Sequence, residues 1–162
     1  MHKSKKRVKG KKNIAAILAA ILILISGFLF QLFNFEFLGR EWAIERAVMF
    51  NLITELDTLN LPGNLENVVI LMVVVYFIIV ILYFLNGFSI LSDKFSFIAS
   101  LLTLPYLFLG VYFVSSLNKQ ISLPILGNVA SVSLGLGTYI LPIIAAGYLL
   151  LKNPINNHIY FK

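Results

Sequence analysis

Glu41 and Glu45 are the residues of this 162-residue chain whose types and spacing come nearest to a catalytic or metal-binding pair. On a helix they lie one turn apart, and Arg46 follows Glu45 directly. Paired carboxylates serve in general acid–base catalysis or hold a hard cation. The simpler interpretation, which we prefer, is a solvated or salt-bridged face of a surface helix.

Other catalytic groups are scarce in this chain. It has no Cys, and its two His residues, His2 and His158, lie far from the carboxylates in sequence. A thiolate site and a zinc hydrolase site are therefore not expected there. The segment "GLGTY" (135–139) follows no predicted strand, so we do not interpret it as a phosphate-binding loop. The sequence predicts a protein that is not an enzyme and that holds no metal or cofactor.

The chain has an unusually apolar composition, which predicts the kind of secondary-structure element that carries these residues. The chain is 59% hydrophobic and 12% charged, whereas soluble domains carry about 25% charged residues. Four runs lack any Asp, Glu, Lys, Arg or His, namely 13–33, 67–87, 95–117 and 129–151. Each has roughly the 20 residues that a helix needs to cross a membrane. In lipid an isolated apolar segment spans as a helix, so we predict an all-α, four-helix membrane bundle over residues 13–151.

Charge predicts the orientation of these spans. Residues 1–12 carry seven Lys or Arg, whereas the loop at 34–66 carries six acids and two bases, a net charge of −4. The positive-inside rule then places the basic tail 1–12 and the tail 152–162 in the cytoplasm, and the loop outside. We therefore expect a multi-pass protein of the plasma (cytoplasmic) membrane. In this setting the basic tail contacts acidic lipid headgroups and not nucleic acid.

Small residues recur along the fourth predicted span at helical spacing. One series has a period of four, and a second lies one step round the helix; together they comprise Gly127, Ser131, Ser133, Gly135 and Gly137. Because small residues let helices approach closely in lipid, we expect this face to pack against another helix or a partner protein. Pro105 and Pro142 lie within spans and predict kinks there.

The outer loop contains an amphipathic pattern at residues 38–59. Apolar residues fall on one side of a helix drawn through this segment, and "LPGN" (61–64) supplies a stop signal. Such a helix would lie on the outer membrane surface or cap the bundle. The residues that we expect to mediate interactions there are Trp42, Glu45, Arg46, Met49 and Leu56.

The segment "LNLPGNLENVVILMVV" (59–74) resembles the junction between the first outer loop and the second span of claudins. The matching positions are Leu59, Leu61, Pro62, Leu65, Leu71, Met72 and Val73. The resemblance implies a left-handed four-helix bundle with a role in lateral assembly or cell–cell contact. The chain departs from the family pattern because its loop has Trp42 alone and no Cys pair.

The sequence therefore favours a small non-catalytic membrane protein that acts as an accessory or scaffold subunit. Its partners would be the lipid bilayer and other membrane proteins, or a second copy of itself. Two alternatives stay open: a pore or small transporter formed by oligomerisation, and a membrane enzyme that uses the outer-loop carboxylates.

Overall fold

The structure, a computed structural model, describes residues 12–37, 40–42, 49, 52, 64–121 and 130–160. Within these described ranges, four long helices and three short strands can be bounded. In chain order these are α1 (Ile14–Leu29), β1 (Phe33–Phe37), β2 (Arg40–Trp42), α2 (Leu65–Gly87), α3 (Asp93–Ile121), β3 (Ala130–Leu134) and α4 (Leu136–Tyr160).

The helices expected at 67–87 and 95–117 are confirmed as α2 and α3, each slightly longer than predicted. Within the described part of the chain, α2, α3 and α4 are long and apolar enough to cross a membrane. Such helices are compatible with a multi-pass membrane protein. Pro105 and Pro142 lie inside α3 and α4, and each helix continues through its proline.

The first predicted helix, 13–33, extends too far at its C-terminal end. It begins as expected, because the Asn13 side chain accepts a hydrogen bond from the Ala16 amide and caps α1. However, α1 ends at Leu29, and Phe30 is already extended. With 16 residues α1 is an apolar helix shorter than the other three. The chain leaves the helix early because residues 33–37 form β1.

The fourth predicted helix, 129–151, is wrong in its first third. Residues 130–134 form strand β3, and α4 starts only at Leu136. The segment "ASVSL" alternates polar and apolar residues, which is the period of a strand. Val132 is buried and Ser133 is exposed, in agreement with that alternation.

The amphipathic helix predicted at 38–59 is also wrong in its first part. Residues 40–42 form β2, which pairs with β1 as an antiparallel hairpin in which Phe37 is opposite Arg40. Strand β1 also pairs with β3, giving an antiparallel sheet in the order β2-β1-β3. Further along, Met49 and Leu52 are helical and buried. The remainder of 43–59 lies outside the described residues.

The four helices pack side by side with alternating direction. Helix α1 contacts α2 and α4, and α3 contacts the same two helices. Large side chains fill the space between them, among them Ile23, Met72, Tyr76, Tyr83 and Tyr106. The sheet lies at one end of the helices, where the rings of Phe33 in β1 and Phe113 in α3 pack at a tilt of 36° with centroids 4.5 Å apart.

Apolar side chains also cover the outside of the helices. Leu150 is 77% exposed and Phe108 is 71% exposed, and similar residues occur along α1 and α2. Polar solvent would make such a surface unfavourable, since burial of apolar area stabilises by about 25 cal/mol per Å². A continuous exposed apolar surface of this kind is typical of a membrane or partner contact.

Candidate functional site

The sheet end of the molecule contains most of the predicted small-residue set, in an arrangement that the prediction did not foresee. Ser131 and Ser133 lie on β3, Gly135 follows the strand, and Gly137 lies in the first turn of α4. Gly127 lies outside the described residues. Three of the four described members are not helical, so the prediction that the series forms one face of a helix is wrong.

Gly135 and Gly137 have a different role, since they bring α4 against the chain that leaves α1. The Gly135 amide donates to the Leu32 carbonyl at 2.7 Å, and the Gly137 amide donates to the Gln31 carbonyl at 2.8 Å. A Cβ on Gly135 would overlap the Gln31 carbonyl oxygen, and one on Gly137 would lie 2.7 Å from the Phe30 carbonyl oxygen. Only glycine allows this approach.

The same junction provides hydrogen-bond acceptors for backbone amides at the N-terminus of α4. The carbonyls of Gln31 and Leu32 point at the N-terminus of α4, where free amides and the helix dipole favour negative partial charge. Thr138 adds a third bond, because its hydroxyl donates to the Leu32 carbonyl at 2.7 Å. Thr138 therefore ties the first turn of α4 to the segment that follows α1.

The predicted outer-helix residues are only partly described. Trp42 lies in β2 and not on a helix, and Glu45, Arg46 and Leu56 lie outside the described residues. Met49 is buried, and it lies beside Gly27 of α1 together with Tyr76. Met49 is thus a packing residue and not a surface contact.

The helical placement predicted for Glu41 is wrong as well, and Glu45 lies outside the described residues. Glu41 belongs to β2, where its register partner is Glu36 of β1. Among the described residues, no three His, Cys, Asp or Glu side chains come together in a way that could hold a metal ion.

Asn118, near the C-terminal end of α3, acts on the sheet in the way that a neighbouring strand would. Its side-chain amide donates to the Val132 carbonyl and accepts from the Val132 amide, both at 2.7 Å. A backbone strand would make the same pair of bonds with Val132. Asn118 thereby satisfies the outer edge of β3 and attaches the sheet to α3.

The sheet presents one face to its surroundings. Asn34 and Ser133 are directly opposite register partners on β1 and β3, and both are exposed. Their neighbours Phe33 and Val132, one residue away along the strands, are buried. Among these four side chains, the polar Asn34 and Ser133 lie on an outer face and the apolar Phe33 and Val132 lie on an inner face.

A polar cluster lies at the opposite end of the helices. Asn13 Nδ2 donates to Asn86 Oδ1 at 2.7 Å and to the Tyr148 hydroxyl at 3.1 Å. Asn156 Nδ2 donates to Asn13 Oδ1 at 2.9 Å, and Asn156 Oδ1 accepts from the Ala15 amide. Asn13, Asn86 and Tyr148 are all buried. A side chain before α1 thus bonds to α2 and α4.

Helix α3 joins this cluster at its first turn. Asp93 Oδ1 accepts from Asn86 Nδ2 at 3.1 Å, and Ser96 Oγ accepts from the Tyr148 hydroxyl at 2.8 Å. A backbone bond from the Asn13 amide to the Gly87 carbonyl, at 3.1 Å, closes the contact between α1 and α2. All four helices therefore meet in one hydrogen-bonded group.

This cluster was not predicted from the sequence, because only charged residues were considered as functional groups within the spans. Asn13 and Asn86 lie within the predicted spans 13–33 and 67–87, and both carry uncharged amides. A usable signal existed, since a polar residue at membrane depth needs a hydrogen-bond partner from another helix. That signal still does not name the partner.

Comparisons of the chain with protein-family models, characterised proteins and solved structures find no match. The resemblance to claudins accordingly stays a prediction. Within its described part, Leu65 and Met72 are buried at the start of α2, whereas Leu71 is exposed.

Proposed function

We propose that this protein is a small, non-catalytic, four-span membrane protein that serves as an accessory or scaffold subunit of a membrane assembly. The observation that carries the proposal is the contrast between the two sides of the helices. Their facing sides are filled by large side chains such as Tyr76, Tyr83 and Tyr106, and their outer sides carry exposed apolar residues. Surfaces of the second kind have lipid or other membrane proteins as their natural environment.

The proposed orientation has the polar cluster at the cytoplasmic side and the sheet outside. The seven basic residues of 1–12 precede α1 at the polar-cluster end. Lys94 and Lys152 belong to the same half of the molecule, near the start of α3 and within the later part of α4. Basic residues are retained on the cytoplasmic side, which supports this orientation.

The face that we assign to a partner is the outer face of the sheet. It combines strands from two separate loops and is fixed to the helices by Asn118, Gly135 and Thr138. A surface held in this way changes little on binding, so less conformational entropy is lost when a partner associates. The exposed pair Asn34 and Ser133 lies on this face.

The test is co-purification of the full, tagged chain from native membranes in mild detergent at native expression. We expect a stable membrane protein partner. Ser133→Glu, which puts a charge on the outer face, should reduce recovery of that partner about ten-fold or more, the effect of a penalty near 1.4 kcal/mol. Asn153→Glu, an exposed position at the far end, is the matched control and should retain it.

Recovery of the chain alone and monomeric would overturn the scaffold proposal. Ion or solute flux through liposomes that contain only the purified chain would do so too, and would instead support the pore.

A further inference from the structure

A groove of about 190 Å³ runs along the outside of the contact between α1 and α4. Its lining is apolar, and small residues at Ala15, Ala19 and Gly147 leave room that larger side chains would fill. A Cβ on Gly147 would have no atom within 4 Å. The space suits several methylene groups, whereas a helix with its side chains is about 10–12 Å across.

One side chain at the base of this groove is held in position by hydrogen bonds. Tyr148 lines the groove, yet only 5% of it is exposed. Its hydroxyl donates to Ser96 Oγ and accepts from Asn13 Nδ2, so the ring belongs to the polar cluster. The groove is therefore pre-formed, as ligand sites usually are.

Lysine residues lie near one end of the groove. Lys152 lies on α4 between the lining residues Leu151 and Ile155. Asn156, one turn beyond Lys152, bonds to Asn13 and to the Ala15 amide, so this end adjoins the start of α1. The exposed Lys12 precedes α1 there. The nearby acid, Asp93, accepts a hydrogen bond from Asn86 within the cluster.

The geometry points to a binding site for one anionic glycerophospholipid, and this inference rests on the proposed membrane location. An acyl chain lies in the apolar groove, and the phosphate lies at its basic end beside Lys152. Lysine stems follow apolar surface while their ammonium groups reach the interface, which fits the position of Lys152. The basic tail adds a general attraction for anionic headgroups.

The experiment uses the purified full chain in mild detergent and measures its Tm with added phosphatidylglycerol or phosphatidylcholine. At a large excess over Kd we expect phosphatidylglycerol to raise the Tm by roughly 5–10 °C, and phosphatidylcholine to raise it by less than half as much. Lys152→Gln should remove most of that difference between the two lipids. Lys94→Gln, a charge change on α3, is its control and should preserve it.

A second pair of variants tests the groove itself. Gly147→Leu fills it and should abolish the response to both lipids, whereas Ala146→Leu, at the neighbouring exposed position outside the groove, should leave the response intact. An unchanged response in Gly147→Leu, or equal Tm shifts from the two lipids, would overturn the lipid site. If Gly147→Leu keeps its lipid response but loses a co-purified protein, the groove is a protein contact instead.

Failure of the lipid site can be told apart from failure of the proposed function. A chain extracted from membranes by alkaline carbonate would refute the membrane location, and the lipid site with it. A chain that resists extraction but shows no lipid response would refute the lipid site alone.

Discussion

Asn13 connects all four helices through a single side-chain amide, which reaches α3 through a 3.4 Å hydrogen bond to Asp93 Oδ1. It caps α1, donates to Asn86 of α2 and Tyr148 of α4, and accepts from Asn156. A hydrogen bond between neutral groups contributes about 1 kcal/mol, but loss of one partner leaves several buried polar atoms unpaired. The stability of this end of the molecule therefore depends on one residue.

Asn13→Ala is expected to lower the free energy of unfolding by about 2–4 kcal/mol, because both the cap and the interhelical bonds are lost. The measurement is reversible unfolding in detergent micelles. Asn153→Ala, an exposed amide on α4, should change the same quantity by less than about 0.5 kcal/mol. Equal effects of the two substitutions would contradict a structural role for the cluster.

Substitutions at two glycines of α4 are expected to change the free energy of unfolding in opposite directions. Gly137→Ala should destabilise the protein by about 1–3 kcal/mol, since the new methyl group would press on the Phe30 and Gln31 carbonyls. Gly147→Ala meets no atom and should stabilise α4 by about 0.5–1 kcal/mol. The same unfolding measurement reports both. Two changes of the same sign would show that the close approach at Gly137 is not required.

At the residue scale, glycines of the small-residue series were correctly predicted to allow close contact, but the group that they contact was predicted wrongly. Gly135 and Gly137 were chosen because small residues permit close contact, and the structure confirms a close contact. The contact is with backbone carbonyls 30–32 and not with a helix face. The partner could not be predicted, because it lies about a hundred positions earlier in the chain, as the bond from Thr138 to Leu32 spans 106 residues.

Strand β3 shows why the elements at the sheet end were misread. A spacing of four residues puts side chains on one face of a helix, but four is also a multiple of the strand period of two. Gly127, Ser131 and Gly135 therefore fit both patterns, and apolar flanks favoured the helix. By contrast α2 and α3 were predicted well, since more than twenty apolar residues admit only a helix in lipid.

The attachment of β3 to α3 leads to a prediction about local stability. Asn118→Ala removes both bonds to Val132 and should speed hydrogen exchange of the Val132 amide about ten-fold or more, as expected for a loss near 1.4 kcal/mol. Exchange in residues 130–134 is followed by NMR or mass spectrometry. Gln120→Ala, an exposed position on the same helix, should leave it unchanged. Slow exchange in Asn118→Ala would show that β1 alone holds the strand.

The whole molecule has two chemically different ends separated by an apolar middle. The sheet end is organised by backbone pairing and glycines, and the opposite end by side-chain amides and hydroxyls. The apolar outer surface of the helices lies between them. The composition predicted the apolar helices of the middle, but it gave no indication of a sheet.

Orientation is directly testable because the chain has no native Cys. Single Cys substitutions at Asn64 and Ser133 should react with a membrane-impermeant maleimide added to intact cells. Substitutions at Lys94 and Asn153 should react only after the membrane is permeabilised. All four positions are exposed, so accessibility within the protein does not limit the reaction. The reverse pattern would contradict the proposed topology, and labelling of all four in intact cells would contradict insertion.

The polar cluster also sets an order of events during synthesis. Asn13 is made 143 residues before Asn156, its partner on α4. At about 5–20 residues per second the interval is roughly 7–30 s. During that time Asn13 can cap α1 and bond to Asn86 of α2, but it lacks its partners Tyr148 and Asn156 on α4. The last helix therefore completes the polar cluster. A chain that stops before α4 lacks the hydrogen bonds from Asn13 to Tyr148 and Asn156.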